Sequence, residues 1–167
     1  MAEYVVPKKR AAFAVVQLGT EVLLVANKRT DGRIKWSLPG GSVHGAESPL
    51  ERLEKEMREE TGIKVINWSK LIYTSRVIFR GGGSGLEWFV EVHQAGDWEG
   101  ELRFNDPDGL VVDGIFSDLA SVESVFQSSS RYIREPIQEW LSHSWEEPRH
   151  YNYLVDGRRP DQTVERL

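Results

Sequence analysis

Gly41-Ser42-Val43-His44-Gly45-Ala46-Glu47-Ser48-Pro49-Leu50-Glu51-Arg52-Leu53-Glu54-Lys55-Glu56-Met57-Arg58-Glu59-Glu60-Thr61-Gly62-Ile63 is the stretch on which the fold turns. It reads as a glycine loop running into a helix whose last turns carry clustered carboxylates. Ser48 sits where an N-cap belongs, Pro49 at the first helical position and Glu51 three residues after the cap, the pattern of a capping box. Gly62 supplies the stop at the other end. At ~100° per residue, Glu56, Glu59 and Glu60 fall within an arc of about 100°, and Leu50, Leu53 and Met57 form an apolar stripe beside them. One side of the helix packs and the adjacent side presents acid.

Left alone, that arrangement is electrostatically unfavourable. Carboxylates near a helix C-terminus face the negative end of the macrodipole at ~0.3–1 kcal/mol each, and Glu56 and Glu60 repel at i,i+4. Arg52, one turn before Glu56, and Lys55, one turn before Glu59, compensate in part but leave most acceptor oxygens free. A Mg²⁺ or Mn²⁺ ion, a hard cation that takes carboxylate and water oxygens, would complete the balance. A helix rich in Glu, Lys and Arg is by itself more often a solvated face. The preceding Trp36-Ser37-Leu38-Pro39-Gly40-Gly41 reverses those odds, because a rigid Pro-Gly-Gly bend can bring backbone carbonyls close to a metal.

With its Leu38-Pro39-Gly40-Gly41 entry, the segment resembles the Nudix box, the signature of Nudix hydrolases. That signature runs Gly, five residues, Glu, seven residues, then Arg-Glu-aliphatic-any-Glu-Glu-any-Gly-aliphatic. Gly41, Glu47, Glu56, Met57, Glu59, Glu60, Gly62 and Ile63 match it over 23 residues. The one departure is Lys55, where the family carries Arg; lysine keeps the charge and loses the planar bidentate fork.

The resemblance implies an α/β fold, an α/β/α sandwich with a mixed β-sheet. It implies Mg²⁺- or Mn²⁺-dependent hydrolysis of a nucleoside diphosphate linked to another moiety, by water attack on one phosphorus. Glu56, Glu59 and Glu60, with a backbone carbonyl at Gly41, would hold the metal. One carboxylate must take the proton from water, Glu59 ahead of Glu56, with Glu47 and Lys55 auxiliary. Many family members add an acid from a later loop, for which Asp106 and Asp108 are candidates, although a turn around Pro107 explains them as well.

Arg29 stands at the end of the second strand, where the family often has a phosphate- or base-contacting Arg; an exposed loop charge is the equal alternative. Arg76 is a second candidate for substrate, as is Arg80. Trp68 and Trp88 could stack on a base, though strand aromatics are more often core. His44 reads as a surface residue, since hard Mg²⁺ seldom takes imidazole. The proline of ADP-ribose pyrophosphatases, expected shortly after the box, is replaced by Val77-Ile78-Phe79. The tyrosine of dinucleoside polyphosphate hydrolases is missing too, which leaves nucleoside triphosphates and nucleotide sugars no worse candidates than ADP-ribose. The competing class is a nucleotide-sensing regulatory protein that does not cleave; such proteins lose box glutamates or gain a DNA-binding extension, and neither is seen here.

Composition sets the remaining bounds. The chain has 167 residues, 40% hydrophobic and 28% charged, as expected for one domain with a real core about 10–143 and an extension over 144–167. Cysteine is absent, which excludes a disulfide framework and thiolate chemistry. Without an apolar signal segment or spanning run, a cytoplasmic location off the membrane is expected. The net charge of −5 argues against nucleic-acid binding and leaves a small nucleotide as partner.

Along the chain, Ala11 to Leu18 and Glu21 to Ala26 read as a hairpin turning at Gly19-Thr20, with a basic loop over Lys28 to Lys35. Val65 to Phe79 holds strand material, Gly81 to Gly85 a turn, and Leu86 to His93 a strand with Leu86, Trp88, Val90 and Val92 on one face. A polar loop over Gln94 to Gly109 precedes a strand over Leu110 to Phe116. The second of two helices carries Ile133, Ile137, Trp140 and Leu141 as a core stripe, with Pro136 near its first turn. The tail from Trp145 has strand-like Tyr151 to Val155, a turn at Asp156-Gly157, and Arg158 and Arg159, which read as a solvated turn. Three uses are open for it: covering the site, binding a second subunit as a homodimer, or packing on the sheet.

Overall fold

Apolar residues occupy both alternating faces of the first strand, β1 (Lys8–Val15), and both faces are buried: Ala11 and Val15 enter one core, Ala12 and Ala14 the other. The computed structural model describes residues 7–81, 85–158 and 160–167. After β1 come β2 (Gln17–Leu18), β3 (Glu21–Lys28), β4 (Ile34–Ser37), β5 (Gly40–Val43) and helix α1 (Pro49–Thr61). Then follow β6 (Lys64–Val65), β7 (Trp68–Arg80), β8 (Leu86–Ala95), β9 (Trp98–Glu99) and β10 (Val111–Ser117). Helices α2 (Leu119–Phe126) and α3 (Arg131–Ser142) lead to β11 (Arg149–Asp156) and β12 (Thr163–Arg166).

Six strands form the central sheet in the order β12-β11-β7-β8-β1-β5. β1 with β8 and β11 with β7 run parallel and the other neighbours antiparallel, so the sheet is mixed. Helix α1 packs Leu53 and Met57 against Ala12, Ala14 and Val43 on one face. Val122 and Phe126 of α2 and Ile137 and Trp140 of α3 pack against Val77, Val90 and Val92 on the other. The outcome is the expected α/β/α sandwich. Among the described residues no helix is long and apolar enough to cross a membrane.

Several local readings are corrected. The turn at Gly19-Thr20 joins β2 to β3, with Gln17 opposite Val22; β1 leaves for the central sheet, because its two buried faces need cover on both sides. Among the described residues there are three helices, where the sequence reading expects two. The additional helix, α2, is capped by Asp118, whose side chain accepts from Ser121 N at 2.8 Å. Pro136 lies inside α3, beyond the first turn, and is buried. Ser48 makes no side-chain cap bond, so the capping box is not formed; Pro49 and the left-handed Gly62, φ 79°, delimit α1. The tail packs on the sheet: β11 pairs with β7 throughout, and Tyr151, Tyr153 and Val155 are buried. Gly82, Gly83 and Ser84 of the glycine turn, and Arg159, lie outside the described residues.

Candidate active site

The bend before α1 is set by Gly40, which pairs with Phe13 at φ +141°. A Cβ there would stand 2.2 Å from Ala12 O, so no other residue lets β5 lie against β1. One residue on, Gly41 passes over α1, where its Cβ position is 3.6 Å from Glu56 Oε2. The loop that follows is tied down from inside. Glu47 Oε1 accepts from His44 N at 3.2 Å, Glu47 N donates to His44 O at 3.1 Å, and Arg10 Nη2 donates to Glu47 O at 3.3 Å.

Glu56 and Glu60, one helical turn apart, hydrogen-bond to each other. Glu56 also takes Arg52 Nη2 at 2.6 Å, and Arg52 extends toward Glu47 at 3.8 Å. Glu60 Oε2 is buried without a hydrogen-bond partner. Burial first, then the Glu56 hydrogen bond and the charges of Glu56 and Asp106, push the Glu60 carboxyl up to about 10, with Arg52 opposing. Of the two later acids, the charge of Asp106 is felt at Glu60, whereas Asp108 is exposed. Asp106 is held by its own turn, its Oδ2 accepting from Leu110 N at 3.0 Å and Val111 N at 2.9 Å. It reaches Glu60 because Arg103 N donates to Thr61 O at 2.7 Å, binding the loop to the end of α1.

Glu59 stands apart from this pair. Its carboxylate is 4.0 Å from Lys55 Nζ, and it borders a shallow polar depression with Arg58, Arg103 and Asn105. Among the described residues no three Asp, Glu or His side chains are grouped tightly enough to hold a metal ion as they stand. The donor chemistry nevertheless suits a hard divalent cation at Glu56 and Glu60: two carboxyl groups share a half-buried niche, one oxygen is orphaned, and the Gly41 backbone lies alongside.

The other side of the Gly40-Gly41 step opens into a cavity of about 280 Å³ between β1, β7 and β8, the β3–β4 pair and the α2–α3 corner. Arg29, Lys35, Trp36, Gly40, Trp88 and Tyr132 are among its lining. Of the substrate-contact candidates the fold therefore brings Arg29 and Trp88 to one place. It takes Arg76 elsewhere: on the opposite face of β7, its guanidinium binds both Glu87 carboxylate oxygens, at 2.7 and 3.3 Å. Trp68 packs in the α1-side core and donates to Glu54 Oε1 at 3.2 Å. Arg80, Arg158 and His44 are exposed. Ser75, Asn27 and Tyr132, which also line the cavity, carry no signal of their own in the sequence; only strand pairing gathers them.

The family model for the NUDIX domain matches residues 7–141. Among solved structures, the chain is similar to a mutator MutT protein from Bacillus halodurans, at 21% identity and a TM-score of 0.62 over 94% of this chain and 97% of that one. It is similar to a MutT protein from Methanosarcina mazei Go1, at 20% identity and a TM-score of 0.64 over 84% and 97%. An ADP-ribose pyrophosphatase from Streptococcus suis 89-1591 is similar at 20% identity and a TM-score of 0.51 over 85% and 98%. At these identities the likeness is one of fold. No curated protein is matched by the chain.

Proposed function

Because the chain belongs to the NUDIX family of pyrophosphohydrolases, we propose that it is a Mg²⁺- or Mn²⁺-dependent enzyme cleaving the diphosphate of a nucleoside diphosphate linked to another group. The observation that carries the metal dependence is Glu60 Oε2, buried and without a partner beside the Glu56 carboxylate. Such a pair is stable in ionised form only when a cation joins it. Glu56, Glu60 and the Gly41 carbonyl would hold that ion, which when bound supplies charge to shield the phosphate oxygens and acidify the attacking water. Arg52 orients Glu56, and Glu47 steadies Arg52 and the loop.

Glu59 takes the proton from the water; Lys55, at 4.0 Å, holds it only loosely and leaves it mobile enough to do so. The nucleoside lies in the cavity lined by Arg29 and Trp88. Gly40 borders that cavity and Gly41 faces Glu56, so a diphosphate crossing the bend spans from one to the other. A panel of nucleoside triphosphates, nucleotide sugars and dinucleotides, incubated with Mg²⁺ or Mn²⁺, should give metal-dependent release of a monophosphate that EDTA abolishes. Glu59→Gln and Glu60→Gln should each lower kcat by about 100-fold or more. No turnover on any compound, or both variants at full rate, would reject the mechanism.

A further inference from the structure

The segment leading to Asp106 alternates. Leu102 packs into the α1-side core, and Phe104 lies against Gly114, where a Cβ would stand 2.7 Å from its ring. Between these anchors Glu101, Arg103 and Asn105 are exposed. Together with Arg58 of α1 they line the depression of about 410 Å³ that Glu59 borders. Gly62 and Gly100 line it too, their backbones so close that a Cβ on Gly100 would stand 2.6 Å from Gly62 O. Among the described residues the side chains of Arg58, Glu101, Arg103 and Asn105 have no hydrogen-bond or ion-pair partner, so their donors and acceptors are open to a ligand.

The depression adjoins the acidic niche. Glu59 precedes Glu60 in α1, and Asn105 and Pro107, which both line the depression, flank Asp106, whose charge is felt at Glu60. At the other end of the niche Gly41 faces Glu56, and Gly40 borders the aromatic cavity. A substrate with its nucleoside in that cavity and its diphosphate at Glu56 and Glu60 therefore delivers its remaining group to the depression.

The lining selects among the possible groups. No aromatic side chain lines the depression among the described residues, so a second nucleobase would find nothing to stack on. A further phosphate would meet two arginines, but also Glu59, Glu101 and the negative end of α1, which cancel their charge. Sugar hydroxyls each donate and accept; arginines that donate, a carboxylate that accepts and an amide that does both satisfy them.

We propose that the substrate is a nucleotide sugar whose glycosyl group is seated in this depression, its hydroxyls on Arg58, Arg103 and Asn105. The proposal rests on the pyrophosphohydrolase reading above, so binding is measured apart from turnover. The α,β-methylene analogues of ADP, GDP, CDP and UDP and of their glucose esters, which the bridging carbon protects from cleavage, are titrated by calorimetry in Mg²⁺. For the preferred base the glucose ester should bind more tightly than the diphosphate. Arg103→Ala and Asn105→Ala should each weaken the ester by about 10-fold and leave the diphosphate within about 2-fold. Both side chains are exposed, so unfolding midpoints should not move. If no analogue binds, if the ester gains nothing over the diphosphate, or if the variants weaken both alike or neither, the proposal is overturned. With the cleavable compounds, kcat/KM should be higher for the glucose ester than for the triphosphate of the same base; the reverse order would overturn the proposal and leave the hydrolase reading standing. Glucose-dependent binding without turnover of any compound would reject the hydrolase reading and leave the glycosyl site standing.

Discussion

Glu60 shows how far a carboxylate's chemistry depends on its neighbours. In the sequence it is one of three equivalent acids; in the fold it is the one buried between Glu56 and Asp106, with its carboxyl pushed up to about 10 from the ordinary 4.5. The folded protein therefore holds a proton that the unfolded chain releases near 4.5, so stability falls as pH rises between those values. In EDTA, the urea midpoint should decline from about pH 5 to about pH 9, and Glu60→Gln should flatten the decline. Millimolar Mg²⁺ should restore stability at the alkaline end, because it binds the ionised form. Identical profiles for variant and wild type would show that Glu60 is not the titrating group. At the same scale, Gly40 was legible as a bend, but its contact with Ala12 O depends on a strand pairing that no local signal announces.

Helix α1 was readable almost whole, since its apolar stripe, Pro49 and Gly62 are local signals and the structure honours them. The joint it makes with the later loop was not. A Cβ on Gly62 would meet Glu101 O at 2.6 Å, and φ there is +79°. Gly62→Ala should therefore cost roughly 1–3 kcal/mol, read as a lower urea midpoint. It should also reduce turnover while far-ultraviolet circular dichroism keeps its helical signal, because the loop bearing Asp106 is anchored at Thr61 O. Unchanged stability would mean that the loop yields without strain. The short α2 is poorly legible in sequence because eight residues give little periodicity; its local signals are Asp118 as a cap and the Val122–Phe126 spacing.

At the scale of the molecule, residues 144–167 look like an appendage in sequence, yet β11 lies in the central sheet beside β7 and carries buried Tyr151, Tyr153 and Val155. β12 is fastened back to α3 by Arg166 Nη1, at 2.7 Å from both Glu135 and Glu139. A chain ending at Ser142 should lose its cooperative unfolding transition and its near-ultraviolet circular dichroism, since it would expose the β7 edge and remove Tyr151, Tyr153 and Val155 from one core. A truncated protein that unfolds cooperatively near the wild-type midpoint would show that the tail is dispensable. The sequence by itself determined the acidic helix, the glycine bend, the sandwich class and the family, because caps, periodicity and motif spacing are local properties of the chain. Only the tertiary structure decided which acids meet and which arginine reaches the cavity. Those facts depend on contacts between segments far apart in sequence, the loop bond from Arg103 N to Thr61 O and the packing of the β3–β4 pair over β7 and β8, which no local signal announces.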